Sequence, residues 1–362
     1  MIKTSLLKIV DRWFGAGFAQ LLPPPSAPFP NAQPEAILLI RPGGIGDAVH
    51  LVPAIQTLNQ AFPQSAIDIL AERRNAGAFA LCPGIRRVYL YDRPGQLLQV
   101  LRNCYDVVID TEQWHRLSAV VARLIRAPAK VGYATNERAR MFTHAVPYNH
   151  IDYEVTSFLR LLEPLDTTET APPTGGWLEV PAAARQAVQT LVAADDQSPL
   201  VVLFPGASIA ERRWGGERFR AVAQACLECD LQVAVIGGEG EYQEAEQIAA
   251  GLPLINLAGQ TSLAETAAVL ERAAVVVSGD SGILHIAVGL DRPTVSLFGS
   301  GIAAKWAPRG PQHVVLNKGL PCSPCTRFGY TPPCPYGTRC LKEISVDEVT
   351  QAIETLIGKR ES

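Results

Sequence analysis

The fold class is decided by the stretch AVVVSGDSGILHIAVGL at residues 274–290. Its first four residues are apolar and mostly β-branched, without polar alternation, which is typical of a strand buried on both faces. A glycine-containing turn, GDSG, follows at once, and the next eight residues have the composition of a buried helix. A strand that passes through a tight turn into a helix is the repeating unit of a parallel sheet. The stretch therefore predicts an α/β fold.

The same unit recurs along the chain. Short apolar runs of strand character lie at 36–40, 66–70, 87–91, 106–110, 199–204, 231–238, 253–259, 274–280 and 293–299. Helical stretches such as 48–61 and 114–126 separate them, and the alternation lapses at about 165–198. Two such series predict two doubly wound, Rossmann-like domains. Open sheets of this kind bind ligands beyond the carboxyl ends of their strands, so we expect the active site in a cleft between the domains.

The domain boundaries follow from composition. Residues 3–22 place apolar side chains at helical spacing beside basic ones, and the proline-rich stretch 23–34 reads as an extended linker. We expect this helix to pack on the protein's own body or to lie on an anionic membrane surface. The predicted segments are 1–34 (amphipathic helix and linker), 35–180 (N-terminal domain), 181–343 (C-terminal domain) and 344–362 (C-terminal helix).

Composition excludes several classes of protein. The chain has 362 residues, 48% of them apolar, with 35 acidic against 32 basic residues and a net charge of −3. That length suits two buried cores, and a chain without a basic patch is not expected to bind nucleic acid. No apolar run reaches the ~18 residues of a membrane span. Asp11 and Arg12 interrupt the first apolar stretch before a signal peptide could form, so we expect a cytoplasmic protein.

The first strand runs into a glycine-rich turn, IRPGGIGDAVHLVP at 40–53. Asp47 stands at the start of the next helix, where its carboxylate is either an N-cap or a general base that faces the cleft. The turn also fits part of the dinucleotide motif G-x-G-x-x-G, with Glu72 as a candidate ribose-binding acid. Val49 occupies the third glycine position, which weakens the dinucleotide alternative.

Two turns of the second series carry candidate ligand-binding residues. The backbone amides of the PGAS turn, which ends at Ser208, are suited to phosphate oxygens. Arg212 or Arg213 in the following ERRW segment could supply positive charge, although exposed arginines after a plain turn are the simpler interpretation. In the GGEGE segment that ends at Glu241, either glutamate could accept hydrogen bonds from ribose hydroxyls.

The GDSG turn carries the strongest local signal. Asp280, Ser281 and Gly282 lie where the strand passes into the helix, and helix N-terminal amides carry roughly half a positive charge, which suits a diphosphate. Gly282 removes the side chain that would block a phosphate. His285 lies one turn inside the helix, where it is either a core histidine or a ligand group. The residues together predict a site that holds the phosphates of a nucleotide.

Four cysteines lie within nineteen residues near the C-terminus. They are Cys322, Cys325, Cys334 and Cys340. In a reducing compartment such a cluster indicates a tetrahedral thiolate site, with zinc as the generic ion and iron as the alternative. The uneven, proline-rich spacing differs from paired CxxC knuckles and leaves free thiols or a labile disulfide as alternatives. A metal here would hold a polar loop and take no part in catalysis.

Taken together, the turns resemble glycosyltransferase family 9, the heptosyltransferases that build the inner core of lipopolysaccharide. The resemblance covers roughly residues 36–358 and is carried, in order, by RPGGIGDAVHLVP, FPGAS, RRW, GGEGE, GDSGILHIA and RPTVSLFG. It implies a GT-B fold whose N-terminal domain binds the acceptor and whose C-terminal domain binds the sugar nucleotide. It also implies an inverting transfer without a catalytic metal, usually from ADP-heptose, onto a lipid-linked or lipopolysaccharide-core acceptor.

The resemblance also implies residue roles. Asp47 matches the family's proposed general base, and the GDSG turn with His285 matches its pyrophosphate-binding turn. Arg212 departs from the lysine that is common in the family, and it replaces a point charge by a planar fork. A cytoplasmic enzyme of this family could contact the inner membrane through residues 3–22.

Three alternatives to a glycosyltransferase remain at this point. The first is a GT-B sugar-nucleotide epimerase, which would need further acid and base groups. The second is a nicotinamide-dependent dehydrogenase, favoured by Glu72 and disfavoured by Val49. The third is a GT-B protein that binds nucleotide or partner proteins without catalysis, and the presence of both Asp47 and the Asp280 turn argues against it.

Overall fold

The computed structural model describes residues 11, 25, 33–167, 171–191, 198–327 and 330–361, with the backbone only for 359–361. The helix predicted at 3–22 lies outside the described residues, apart from Asp11, and stays a prediction. The chain divides into two compact units between Pro173 and Thr174, called unit 1 and unit 2 below. Among the described residues, no helix is long and apolar enough to cross a membrane.

Unit 1 contains a six-stranded parallel sheet in the order β3-β2-β1-β4-β5-β6. Its strands are β1 Ala36–Arg41, β2 Ala66–Ala71, β3 Ile85–Leu90, β4 Val107–Asp110, β5 Ala129–Tyr133 and β6 His144–Val146. Its helices are α1 Ile45–Ala61, α2 Arg73–Ala76, α3 Pro94–Arg102, α4 Arg116–Leu124 and α5 Glu154–Arg160. The strand order reverses between β1 and β4, which makes the carboxyl ends of those strands a topological switch point.

Unit 2 repeats this plan with the sheet order β12-β11-β10-β7-β8-β9. Its strands are β7 Leu200–Phe204, β8 Gln232–Val235, β9 Ile255–Asn256, β10 Val275–Gly279, β11 Thr294–Phe298 and β12 His313–Asn317. Its helices are α6 Ala182–Val188, α7 Gly216–Glu228, α8 Tyr242–Ala249, α9 Leu263–Arg272, α10 Gly282–Gly289, α11 Ala303–Trp306, α12 Arg339–Lys342 and α13 Val346–Glu361. The switch point of this sheet lies between β7 and β10.

The apolar runs form strands because each is buried on both faces. β10 is buried at every position, and its Val277 pairs with Leu203 on one side and Val295 on the other. Burying one such side chain contributes about 1.5–3 kcal/mol. A run in the middle of a covered sheet therefore needs no polar alternation.

The sequence analysis missed three strands, all on the outer side of a sheet. β5, β6 and β12 lie at or next to an edge and carry polar residues such as Lys130 and His313. β6 and β12 are only partly buried, because an edge strand has a neighbour on one side only. β5 is buried throughout, but Lys130 and Gly132 interrupt its apolar run. The predicted strand at 253–259 is also shorter in the structure, where β9 contains only Ile255 and Asn256.

Candidate functional site

The GDSG turn of unit 2 begins helix α10, as the sequence predicts. Ser281 is the N-cap, and its Oγ accepts a hydrogen bond from the Leu284 amide at 3.2 Å and lies 2.8 Å from Ser278 Oγ. The hydroxyl of Ser281 is therefore used by its own helix. The remaining first-turn amides, beginning at Gly282, are the groups that this helix can offer to an anion.

Asp280 lies at the centre of a small charged group beside this turn. Only 5% of its side chain is exposed, its Oδ2 lies 3.0 Å from Arg212 Nη1, and its Oδ1 lies 3.8 Å from His285 Nε2. Burial raises the pKa of Asp280, but the charge of Arg212 and the hydrogen bond with His285 outweigh it and hold the pKa below its usual value. An ionised carboxylate repels phosphate, so the contacts that the structure gives Asp280 are with these two basic side chains.

The turn after β11 makes room for this carboxylate. A Cβ added to Gly301 would lie 2.2 Å from Asp280 Oδ2, a distance that no side chain can tolerate. The glycine is therefore required by the position of Asp280. This contact joins the carboxyl ends of β10 and β11 at one side of the site.

The structure distinguishes the two arginines that the sequence left open. Arg213 is consumed by unit 2 itself, because its guanidinium binds Glu244 at 2.8 Å, Glu241 at 3.0 Å and the Ala207 carbonyl at 3.3 Å. Arg212 instead faces Asp280. Arg212 is thus the arginine that belongs to the candidate phosphate site.

Glu241 and Ser208 lie in the neighbouring turns after β8 and β7. Glu241 Oε2 accepts a hydrogen bond from the Gly238 amide at 3.1 Å, and its side chain fills the space where a Cβ of Gly206 would stand. Ser208 is exposed. The PGAS turn and Glu241 therefore pack together at the carboxyl edge of the sheet, with Glu241 held by Arg213.

In unit 1, Asp47 is the third residue of α1 and is half-buried. The N-cap is Gly44, and no side chain caps this helix, so Asp47 is not the cap that its spacing allowed. Gly43 has a φ of +114°, and a Cβ there would lie 3.2 Å from Arg41 Nη2 and 3.7 Å from Asp47 Oδ2. The glycine thus leaves space in which the carboxylate and a guanidinium lie close to each other.

Sequence analysis missed the buried ion pairs beneath Asp47. Arg41 Nη2 binds Glu112 Oε2 at 3.1 Å and Arg41 Nη1 binds the Thr111 carbonyl at 2.8 Å, while Arg138 Nη2 binds Asp110 Oδ2 at 2.8 Å. Burial raises the pKa of Glu112, but the charges of Arg41, His115 and Arg138 together outweigh it and hold the pKa below its usual value. The available signal was the position of Arg41 and Asp110 at the last residues of β1 and β4, with Glu112 two residues further on.

Glu72 does not take the role that the dinucleotide alternative gave it. It is the N-cap residue of α2, its amide donates to Asn75 Oδ1 at 2.9 Å, and its carboxylate lies 2.6 Å from Arg74 Nε. The start of helix α2 is therefore sufficient to explain why an acidic residue follows β2.

The four clustered cysteines are free thiols that lie near one another. Burial raises the pKa of Cys325, and the neighbouring Cys334 and Cys322 raise it further. The pKa of Cys340 is raised by burial and by the same neighbours. Within the part of the chain that the structure describes, no three His, Cys, Asp or Glu side chains are arranged to hold one metal ion.

The cysteine segment is attached to the turn after β11. The amides of Cys325 and Thr326 donate to the Ser300 carbonyl at 3.2 and 3.0 Å, and Ser323 Oγ donates to the Gly299 carbonyl. Because Gly301 of the same turn borders Asp280, the segment packs directly behind one wall of the candidate site.

Comparison with known proteins places these features in a family. The model of glycosyltransferase family 9 (heptosyltransferase) matches residues 95–332. The chain is 29% identical over 287 residues to lipopolysaccharide heptosyltransferase 3 of Escherichia coli (strain K12), a match that covers 73% of this chain and 82% of that protein.

Solved structures agree on the fold. The structure of E. coli ADP-heptose lps heptosyltransferase II has a TM-score of 0.73 at 20% identity and covers 90% of this chain and 100% of that one. E. coli heptosyltransferase WaaC with ADP-2-deoxy-2-fluoro heptose has a TM-score of 0.68 at 21% identity, with 88% and 99% covered. The predicted GT-B fold and the resemblance to heptosyltransferases are therefore confirmed, and a dehydrogenase is not supported. With its family model covering more than half of its length, this chain belongs to glycosyltransferase family 9.

Proposed function

We propose that the protein transfers a heptose from ADP-heptose to a lipopolysaccharide-core or related lipid-linked glycan. The observation that carries the proposal is the group formed by Arg212, Asp280 and His285 at the start of α10. The group sets a guanidinium and an imidazole beside the first-turn amides of α10. It lies at the switch point of a doubly wound sheet, where such folds commonly bind nucleotides. Family membership and heptosyltransferase relatives support heptose as the sugar.

The proposed donor site uses unit 2 alone. The α10 amides and Arg212 bind the diphosphate, His285 supports it, and the turns that carry Ser208 and Glu241 bind the nucleoside side. Positive charge from the helix terminus and the guanidinium stabilises the ADP leaving group, so this chemistry requires no catalytic metal. A solved relative was crystallised with an ADP-heptose analogue, which supports ADP as the nucleotide.

The proposed base is Asp47 of unit 1. Its carboxylate takes the proton of the acceptor hydroxyl while the oxygen attacks the anomeric carbon of the heptose. The new bond is the carbon–oxygen glycosidic bond, and the bond between the anomeric carbon and the diphosphate oxygen breaks, with its electron pair leaving on ADP. A single displacement of this kind inverts the anomeric configuration. Because the acceptor is lipid-linked, we assign residues 3–22 to a peripheral contact with the inner membrane.

Nucleotide binding by the full chain tests the donor assignment. ADP and ADP-heptose should raise Tm, whereas GDP and UDP should not, because a ligand that binds only the folded state stabilises it by about 2.7 kcal/mol at one hundred times its Kd. His285→Gln should weaken ADP binding measured by calorimetry. His313→Gln is the matched control, since His313 begins β12 and bonds Thr294 at the opposite end of the strands. A larger shift with GDP or UDP would contradict the assignment.

We also propose that Cys322, Cys325, Cys334 and Cys340 hold a structural zinc or iron ion. Their mutual proximity as free thiols supports this, since thiolates are the ligands of tetrahedral sites of both metals. Metal analysis of the purified protein should find about one ion per chain, and Cys322→Ser should lose it. Cys229→Ser, at an exposed cysteine outside the cluster, should retain the metal. A metal-free wild-type protein would refute the proposal.

A further inference from the structure

The backbone at Arg212, the last residue of a short 3-10 helix, is held by contacts with two strand ends. A Cβ added to Gly279 would lie 2.9 Å from the Arg212 carbonyl oxygen, so the turn packs directly on the end of β10. Ser300 Oγ donates a hydrogen bond to the Glu211 carbonyl at 3.3 Å. The ends of β10 and β11 thus hold the residue in place from two sides.

The side chain of Arg212 has one edge committed and one edge available. Nη1 lies 3.0 Å from Asp280 Oδ2. Nε is buried and, among the described residues, has no hydrogen-bond partner. A buried donor without a partner carries a desolvation cost that an incoming oxygen would remove. The Nε–Nη2 edge therefore has the fork geometry with which arginine binds phosphate.

An aromatic ring lies against the same guanidinium. The Arg212 Cζ atom is 6.0 Å from the centre of the Trp306 ring, and the ammonium of Lys305 is 5.7 Å from that centre. Trp306 is half-buried and ends α11, the helix that follows the turn after β11. Indole is the aromatic ring that attracts cations best, at a range of about 6 Å.

We propose that Trp306 is a positioning residue that, together with Asp280, orients Arg212 so that its Nε–Nη2 edge faces the donor diphosphate. The inference rests on the proposed function, because it assigns that diphosphate to this site. A planar guanidinium needs its plane set as well as its position, whereas an ammonium needs its position alone. The ring thus explains how this chain uses an arginine as a fork at its phosphate site.

A double-mutant cycle tests this role. ADP affinity is measured by calorimetry for the wild type, Trp306→Leu, Arg212→Lys and the double variant. Leucine keeps an apolar side chain at this position and removes the aromatic ring. The Tm of the W306L variant reports whether the protein still folds. We expect W306L to weaken ADP binding about 5-fold in the wild-type background and to have no further effect beside R212K. Trp306→Phe, which keeps an aromatic ring, should retain most of the wild-type affinity for ADP.

Two further readouts separate this role from others. Adenosine, which lacks phosphates, should bind W306L and wild type equally, because only the phosphate contact passes through Arg212. If W306L weakens ADP by the same factor with and without R212K, or not at all, the positioning role is wrong. A loss confined to ADP-heptose, with ADP unaffected, would also refute it and would assign Trp306 to the sugar. If the wild type binds no ADP, the proposed function itself fails.

Discussion

The carboxyl edges of the two sheets use buried arginines in opposite ways. In unit 1, Arg41 is 1% exposed, and its guanidinium nitrogens all have partners: Glu112 and the carbonyls of Thr111 and Pro42. Arg138 is fully buried against Asp110, and its Nε has no hydrogen-bond partner among the described residues. In unit 2, Arg212 is 19% exposed, shares Asp280 with His285, and has a buried Nε without a hydrogen-bond partner in the described part of the chain. Arg41 is therefore internally satisfied and Arg138 is out of reach of solvent, whereas the partly exposed Arg212 has capacity for another anion.

This difference indicates a division of labour. Burying ion pairs has a desolvation penalty, but it fixes the geometry of the paired side chains. We therefore expect the unit 1 edge to support the half-buried Asp47 rigidly. An open network is completed only when an oxygen anion arrives, so we expect the unit 2 edge to bind the donor phosphates. Substitutions at the unit 1 edge should therefore lower stability or turnover, and substitutions at the unit 2 edge should lower nucleotide affinity.

The largest expected effect is on turnover, from Asp47→Asn. The amide cannot accept the acceptor's proton, and loss of a general base typically costs 10²–10⁴-fold in rate. ADP affinity should stay within about 2-fold, because no proposed donor contact is removed. Glu35→Gln is the control, since Glu35 is an exposed carboxylate at the opposite end of β1 from the α1 turn. Normal turnover in D47N, measured as ADP release, would show that Asp47 is not the base.

The next effect is on stability, from Arg138→Met in unit 1. It leaves Asp110 buried without its partner, and breaking a fully buried pair costs about 3–5 kcal/mol of unfolding free energy. Arg212→Met should destabilise less and abolish tight ADP binding. Arg185→Met removes an equally short but exposed ion pair with Glu271 and should leave the unfolding free energy unchanged. Urea denaturation measures all three, and equal losses in R138M and R185M would contradict the contrast.

The smallest effect is a pH dependence that comes from unit 1. Burial lowers the pKa of Lys130 to about 8, and its Nζ donates to the carbonyls of Ile125 and Ala127. The unfolded lysine has a pKa of about 10.4. Between these values the unfolded chain binds more protons, so the contribution of this group to stability rises with pH. Below about pH 8 the lysine is charged in both states, and the cost of burying its charge lowers the stability by the full amount.

Lys130→Met should remove this rise. Unfolding free energies of wild type and K130M are compared at pH 7.5 and 9.5, and the wild type should gain stability relative to the variant at the higher pH. The lowered pKa of Asp280 acts in the same direction in unit 2 but in a different pH range: its contribution is complete at neutral pH and is lost only in acid. Parallel pH profiles of wild type and K130M would show that Lys130 is not the source.

Local signals predicted the central strands and the turns that follow them. AVVVS and GDSG led to β10, to α10 and to Asp280, because a continuous apolar run and a glycine turn report their own structure. The edge strands β6 and β12 were missed because they are only partly buried, and β5 was missed because Lys130 and Gly132 interrupt its apolar run. The interpretation of Asp47 as an N-cap failed because the helix begins two residues earlier, at Ile45.

The sequence by itself determined the fold class, the family and the turn that holds Asp280, since these depend on residues that are neighbours along the chain. Only the tertiary structure decided that Arg212 and not Arg213 faces Asp280, that Arg41 pairs with Glu112, and that Trp306 lies against the Arg212 guanidinium. The reason is physical: a charged side chain acquires its role from the partner it meets, and these partners come from elements far apart in sequence.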